Sequence, residues 1–396
     1  MSPDGTGRGA PDGEGRVRHV CVLTGTRADF GKLKPLVLAA AALPDVRVTV
    51  VATGMHLLER YGSTVIEVRR LEPAVRVREF PNQEPGDTMD RILARTVDGL
   101  ADLVDEDRPD LLVVHGDRVE ALAGASVGAL RGVAVAHVEG GELSGTIDGI
   151  LRHAVSKLSH LHLVANDDAA RRVEQLGEDP ATVFAIGSPD IDVMLSDDLP
   201  SLDEVRAAYE IPFDDHLLVV FHGVTTEPPD RVRATAAALV DVLLERGDPA
   251  VVVYPNNDPG SDGIIEEYGR LAGDPRFRVF PSLRFEAFLT LLHSARALVG
   301  NSSAGIREAP IYGVPSVDVG SRQRDRHAHP TIHHTGTSAG EIRAGLEAAL
   351  ASGPHEPSHH FGRGDSARRF GELLEDGAIW GLGEDKVFRE LGPTGD

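Results

Sequence analysis

Apolar residues in this chain fall into two alternating patterns. Short, β-branched, uniformly apolar runs occur at 19–24, 46–52, 111–115, 133–138, 161–164, 217–221, 250–254, 277–280 and 297–299. Runs without polar alternation suit strands covered on both faces, as in a parallel sheet. Between them lie stretches with apolar residues spaced at three and four. One example is Ile147, Ile150, Leu151, Ala154, Val155 and Leu158, which predicts an amphipathic helix. Strand–helix alternation through most of the chain predicts an α/β architecture of doubly wound sheets. The pattern breaks over 184–200, where Gly187-Ser188-Pro189-Asp190 leads into an Asp-rich stretch, and a fresh strand–helix series starts at Leu217. The expectation is two Rossmann-like domains, 18–188 and 189–352, facing each other across a cleft. A disordered tail is expected over 1–17, and a helical segment and tail over 353–396 with its helix at 366–375. No repeat of solenoid period interrupts this plan.

Composition narrows the partners. Hydrophobic residues make up 41% of the chain and charged residues 26%, which excludes a mainly disordered protein. With 62 acidic and 40 basic residues the formal charge is −22, so nucleic acid and anionic membranes are expected to be repelled. An anionic ligand must then be held by a local cluster of donors. The lone Cys21 rules out an internal disulfide and a cysteine-based zinc site. Its setting, Val20-Cys21-Val22-Leu23, reads as a buried strand. The Gly-, Pro- and Asp-rich start lacks the apolar core of a signal peptide, and no apolar stretch has membrane-spanning length. A cytoplasmic protein is expected.

Ligands of open α/β sheets bind beyond the carboxyl ends of the strands, and four such ends here are unusually polar. The first, Thr24-Gly25-Thr26-Arg27-Ala28-Asp29-Phe30-Gly31-Lys32, pairs turn-forming glycines with a guanidinium suited to phosphate. It is not a Walker A loop, since Lys32 is followed by Leu33. The second is His115-Gly116-Asp117-Arg118, and the third His137-Val138-Glu139-Gly140-Gly141-Glu142, which runs through Ser144-Gly145-Thr146 into a helix. Asp117 and Glu139 follow buried runs and are expected at the cleft. Thr146 as N-cap would put Asp148 in the first helical turn. Three carboxylates at one rim suit general acid–base catalysis, since crowding is expected to leave some protonated at pH 7. A metal site using His115, His137 and His153 is the rival reading. In a plainer one, Glu142 and Asp148 are ordinary helix-start charges.

The fourth end, Gly300-Asn301-Ser302-Ser303-Ala304-Gly305-Ile306-Arg307-Glu308, is expected to open a helix whose N–H groups and hydroxyls bind phosphate without net positive charge. Glu308 would accept from ribose hydroxyls. The histidines at 327, 329, 333, 334, 355, 359 and 360 read as solvated loop residues, because none pairs at a spacing that fixes two metal ligands on one helix face.

In order along the chain, T-G-T-R-A-D-F-G-K-L, H-G-D-R, H-V-E-G-G-E-x-S-G-T-I-D, F-H-x-V-T-T-E, P-N-x-D-x-G and G-N-S-S-x-G-I-R-E-A-P resemble the hydrolysing UDP-N-acetylglucosamine 2-epimerases of sialic and other nonulosonic acid pathways. Ala28-Asp29 and Gly140-Gly141-Glu142 place the chain nearer the hydrolysing than the non-hydrolysing branch. The resemblance implies a glycosyltransferase-B-like fold with the UDP-sugar in the cleft. It implies anti elimination of UDP to a 2-acetamidoglucal, then hydration to N-acetylmannosamine. Asp117, Glu139 and Asp148 match the family's catalytic carboxylates. Arg27, Arg118 and Arg322 match cationic positions around the leaving group. His222, Ser302 and Ser303 match the diphosphate site, with Gly305 in the same loop; Glu308 matches the ribose contact and Asn256 a polar cleft position. No metal or other cofactor is implied. Homo-oligomers, dimers or tetramers, are implied by analogy. The chain departs from the family at Gly149-Ile150, Gly223, Asp190 and in the histidine-rich 324–335, so relatives acting on UDP- or GDP-linked 2,4-diacetamido-trideoxy sugars set a second substrate class. A non-hydrolysing epimerase, a retaining glycosyltransferase and an inert nucleotide-sugar sensor are competing readings of the same residues.

Overall fold

The computed structural model describes residues 16–84, 86–144, 147–324, 326–381, 386–387 and 389–390. Most of the expected 1–17 tail and the expected N-cap Thr146 lie outside these residues. Seven strands form the first sheet: β1 (Arg18–Thr24), β2 (Val46–Ala52), β3 (Arg76–Glu79), β4 (Leu111–His115), β5 (Ala134–Val138), β6 (Leu161–Val164) and β7 (Val183–Ala185). Six form the second: β8 (Leu217–Val220), β9 (Ala250–Val253), β10 (Phe277–Phe280), β11 (Ala297–Gly300), β12 (Ser316–Val319) and β13 (Ile332–Thr335). The orders are β3-β2-β1-β4-β5-β6-β7 and β10-β9-β8-β11-β12-β13, with every pairing parallel. Helices cover both faces, which is why the interior strands could be written almost wholly in valine, leucine and alanine. Cys21 is fully buried on β1, and burial pushes its thiol up to about 12.

Four strands escaped the apolar-run pattern, each for a physical reason. β3 (Arg-Val-Arg-Glu) and β7 are edge strands, half covered and short. β13 (Ile-His-His-Thr) is the other sheet's edge, so His333 and His334 sit on a strand and not in a loop. β12 is interior, but Asp318 interrupts its apolar run. Two of the loop histidines also differ from expectation: His327 is half-buried, stacked on His360 with ring centres 4.2 Å apart, and Phe361 meets both edge-on, whereas His359 is exposed in a loop as expected. Helix Ile147–Leu158 is rotated from its predicted face. It buries Gly149, Arg152, Val155 and Ser156, whereas Ile150 is 67% exposed. A guanidinium displaces an aliphatic side chain because it has carboxylates to meet inside.

The chain crosses between the sheets twice, and the crossings touch. Gly187 (φ 88°) turns the first, and the Ser188 N–H donates to the Phe361 carbonyl of the second at 2.7 Å. After Gly362 (φ 146°) the returning chain forms helix Ser366–Asp376, which lays Phe370 and Leu374 into the first sheet's core beside Leu33 and Leu36. That helix starts without a side-chain cap of its own. Asp192, just past the first crossing, accepts from the Ser366 and Ala367 N–H groups at 3.0 and 2.7 Å. Asp192→Ala should therefore cost about 1 kcal/mol, the usual value of a lost N-cap. Urea unfolding followed by circular dichroism checks this, and an unshifted midpoint would show that the cap is not structural.

Candidate active site

Doubly wound sheets open a crevice where the strand order reverses, because the loops leaving the two central strands run to opposite faces. In the first sheet that point lies between β1 and β4, and in the second between β8 and β11. The loops after β1 and β4 bring Arg27, Asp117 and Arg118; those after β8 and β11 bring His222, Ser302 and Ser303. Both crevices open on one interdomain cavity of about 320 Å³. Asp117, Glu139, Asp148, Arg27, Arg118, His222, Asn256, Ser302, Ser303, Glu308 and Arg322 all line it. Gly305 does not. A Cβ there would come within 3.2 Å of Leu298 and 3.3 Å of Ser316, so this glycine serves close packing under the loop.

The three carboxylates stand on one wall with different partners. Asp117 is paired with Arg152, whose other nitrogen donates to the Glu139 carbonyl at 2.8 Å. Burial alone would raise the Asp117 carboxyl, but Arg152, Arg326 and Arg322 outweigh it and lower it to about 2. Glu139 has φ 62°, a rare and costly backbone for a non-glycine residue. Its side chain meets His115 Nε2 at 3.0 Å, the Ser188 hydroxyl and the Arg307 guanidinium. Burial again opposes ionisation, and Arg307, Lys32 and His115 overcome it, holding the carboxyl well below the usual range. The expected protonated carboxylate is therefore not found at these two positions, because each crowded acid faces arginine. Asp148, in the first turn of helix Ile147–Leu158, lies 3.6 Å from Arg322.

The cationic side is built from both domains. Arg118 donates to Asn257 across the cleft at 2.9 Å, and Arg27 to Ser282 at 2.9 Å. His222 accepts from the Asn256 N–H through Nδ1 at 3.1 Å. Burial, then Arg322 and Arg118, push its imidazole down to about 3, so the ring is neutral with its proton on Nε2, a donor without charge. Glu308 takes the Lys32 ammonium on Oε1 at 2.7 Å, while Oε2 is buried and unpartnered. The loop after β11 is not a helix opening. Two 3-10 turns, Ser303–Gly305 and Ala309–Tyr312, replace it. Pro310 has no N–H to donate and disfavours helical geometry at Ala309.

Sequence reasoning missed the residues that hold the wall. Arg307, 2% exposed, reaches from the second domain to bind both Glu139 and Glu142. Arg326 joins Glu142 at 2.8 Å. Glu142 is thus a buried ion-pair partner and not a helix-start charge. Only the arginine excess near the acidic motifs could have hinted at this. The histidines of the metal reading have separate tasks: His137 donates from Nε2 to the Gly116 carbonyl at 2.8 Å and accepts from Ser156, while His115 serves Glu139. Among the described residues no group of three or more His, Cys, Asp or Glu is placed to hold a metal ion.

Comparison with known proteins gives one family. The sequence profile described as UDP-N-acetylglucosamine 2-epimerase matches residues 39–375. A relative from Neisseria meningitidis serogroup B named UDP-N-acetylglucosamine 2-epimerase is 45% identical over 95% of this chain and 100% of its own. A UDP-N,N'-diacetylbacillosamine 2-epimerase (hydrolyzing) from Legionella pneumophila is 29% identical over 91% of this chain and 96% of its own. In fold, the chain is similar to the crystal structure of a Neisseria meningitidis UDP-GlcNAc 2-epimerase bound to UDP-GlcNAc, with a TM-score of 0.76 at 17% identity, over 90% of this chain and 100% of that one.

The Asp117–Arg152 pair predicts a pH signature. An unfolded aspartate titrates at about 3.9, above the folded value of about 2. The stabilisation is complete above the unfolded value and is lost as pH falls through the folded one. Asp117→Asn should flatten the fall in unfolding free energy between about pH 4.5 and about pH 2.5. Urea titrations of both proteins check it; parallel curves would refute the pairing.

Proposed function

The chain belongs to the UDP-N-acetylglucosamine 2-epimerase family, and we propose that it works by the hydrolysing route, converting UDP-N-acetylglucosamine to UDP and N-acetylmannosamine. The observation that carries this reading is the wall of Asp117, Glu139 and Asp148 facing the Ser302-Ser303 loop across one cavity, with two of the acids held as anions. The Legionella relative, whose name specifies hydrolysis, supports the same route.

In the elimination step a carboxylate takes H2 as the C1–O bond breaks, leaving a 2-acetamidoglucal and UDP. Charge builds on the leaving diphosphate, and Arg27, Arg118, Arg322, the serine hydroxyls and the His222 Nε2–H are preorganised to receive it. The base gives the H2 proton up to solvent, and hydration then delivers a solvent-derived proton to C2 from the opposite face while a carboxylate deprotonates the water that adds at C1. Several ionised acids on one wall suit a sequence that calls for a base twice. The unpartnered Glu308 Oε2 gives the ribose hydroxyls an acceptor.

Proton NMR of the purified protein with UDP-N-acetylglucosamine in deuterated water tests the route. Free N-acetylmannosamine deuterated at C2, with equimolar UDP, is expected. UDP-N-acetylmannosamine would instead establish the non-hydrolysing reaction. Asp117→Asn should lower turnover at least about 100-fold, in the range of a lost general acid or base, with the folded circular dichroism spectrum retained. Full activity in that variant would remove Asp117 from the catalytic set.

A further inference from the structure

Lys32 is buried on helix Arg27–Ala41, yet it is shared by two carboxylates from other parts of the chain. Its ammonium donates to Glu308 Oε1 at 2.7 Å and to Asp190 Oδ2 at 2.8 Å. Asp190 stands at the first interdomain crossing, two residues after Ser188, and is 1% exposed. Each acid also has a buried oxygen with no partner, Glu308 Oε2 and Asp190 Oδ1. Two carboxylates on one ammonium divide its charge between them at the edge of the cavity. Such a pair is relieved by weakening one partner's hold on its charge.

The surrounding charges decide which acid yields. Arg307 and Glu139 face the cluster from the second domain's loop and the end of β5, and Tyr312 abuts both acids. Lys32 and Arg307 together outweigh burial at Asp190 and hold it ionised. At Glu308, burial raises the carboxyl and Asp190 adds to it, more than Lys32 and Arg307 offset. The cost of sharing therefore falls on Glu308, the one of the two acids that lines the cavity.

We propose that Asp190 is a positioning residue for nucleotide binding: through the shared Lys32 it sets how strongly Glu308 accepts hydrogen bonds from the ribose diol. This rests on the reading of Glu308 as the ribose acceptor. A carboxylate accepts from a hydroxyl; a protonated carboxyl loses half of that capacity. Nucleotide affinity should thus weaken as pH falls through the raised Glu308 value. Removing the Asp190 charge gives Lys32 to Glu308 alone and moves that loss to lower pH.

The test is calorimetric titration of UDP into wild type, Asp190→Asn and Glu308→Gln at several pH values from about 5 to about 8. UDP's own phosphate ionisation is common to all three proteins, so ratios of Kd isolate the protein. The ratio of wild-type Kd to Asp190→Asn Kd should rise toward acid pH, reaching about tenfold, the equivalent of one pKa unit. Glu308→Gln should bind weakly with little dependence of its own. A ratio that is flat with pH, or that falls, would overturn the proposal, because a merely structural role for Asp190 changes affinity equally at every pH. Glu308→Gln binding like wild type would instead remove the ribose reading. Asp190→Ser repeats the measurement should the asparagine variant fail to fold.

Discussion

Arg307 is the contact on which the two halves of this molecule depend. It projects from a loop of the second domain, is almost fully enclosed, and meets Glu139, Glu142 and Ser188, all contributed by earlier segments of the chain. Its guanidinium also lies 4.9 Å over the Phe361 ring, on the return crossing. A buried charge that loses its partner is far more costly than one never buried. Arg307 therefore permits few relative placements of the domains, since any that removes its carboxylates leaves a buried guanidinium unpaired. The same contact is the largest of those that keep Glu139 ionised. One side chain thus links the placement of the domains to the charge state of Glu139.

Both domains then use one topological device. Each sheet reverses its strand order beside its first strand, and each crevice collects the loops that leave the two central strands. Stacking two such crevices face to face gives one cavity, with Asp117, Glu139, Asp148, Arg27 and Arg118 from the first domain and His222, Ser302, Ser303, Glu308 and Arg322 from the second. This answers the −22 charge of the chain. Ser302, Ser303 and the neutral imidazole of His222 put uncharged donors on the cavity, so a local site for an anion would not need a basic surface around it.

Interior strands and the loops beyond them were legible in the sequence because a strand covered on both faces must be apolar throughout, and the polar residues that end it stand out. Edge strands were not: β3 and β13 are half exposed, and His333-His334 carries no signal that separates a strand from a loop. Asp117 and Glu139 could be placed at the cleft, since each directly follows a buried run. Their ionisation could not: for Glu139 it depends on Arg307, 168 positions away, and for Asp117 on Arg152, which the apolar periodicity of its helix did not turn inward. The rotation of helix Ile147–Leu158 has the same origin. Its apolar periodicity predicted a face through Ile150, but Arg152 turns inward instead to meet Asp117 and Glu142.

The arginines at the cleft are already partnered before any ligand arrives. Arg27 lies 3.6 Å from Glu67, Arg118 meets Glu120 at 3.3 Å, and Arg322 lies 3.6 Å from Asp148. A diphosphate therefore does not enter a site of bare positive charge; it competes with carboxylates for donors. Such exchange makes net binding weaker than a count of cations suggests, since each new contact replaces one that was present. It also reaches across the cleft: Arg322 follows β12 in the second domain, while Asp148 stands on the first domain's wall. An anion that drew Arg322 away would change the charge facing that wall, so both walls respond to whatever occupies the cavity between them.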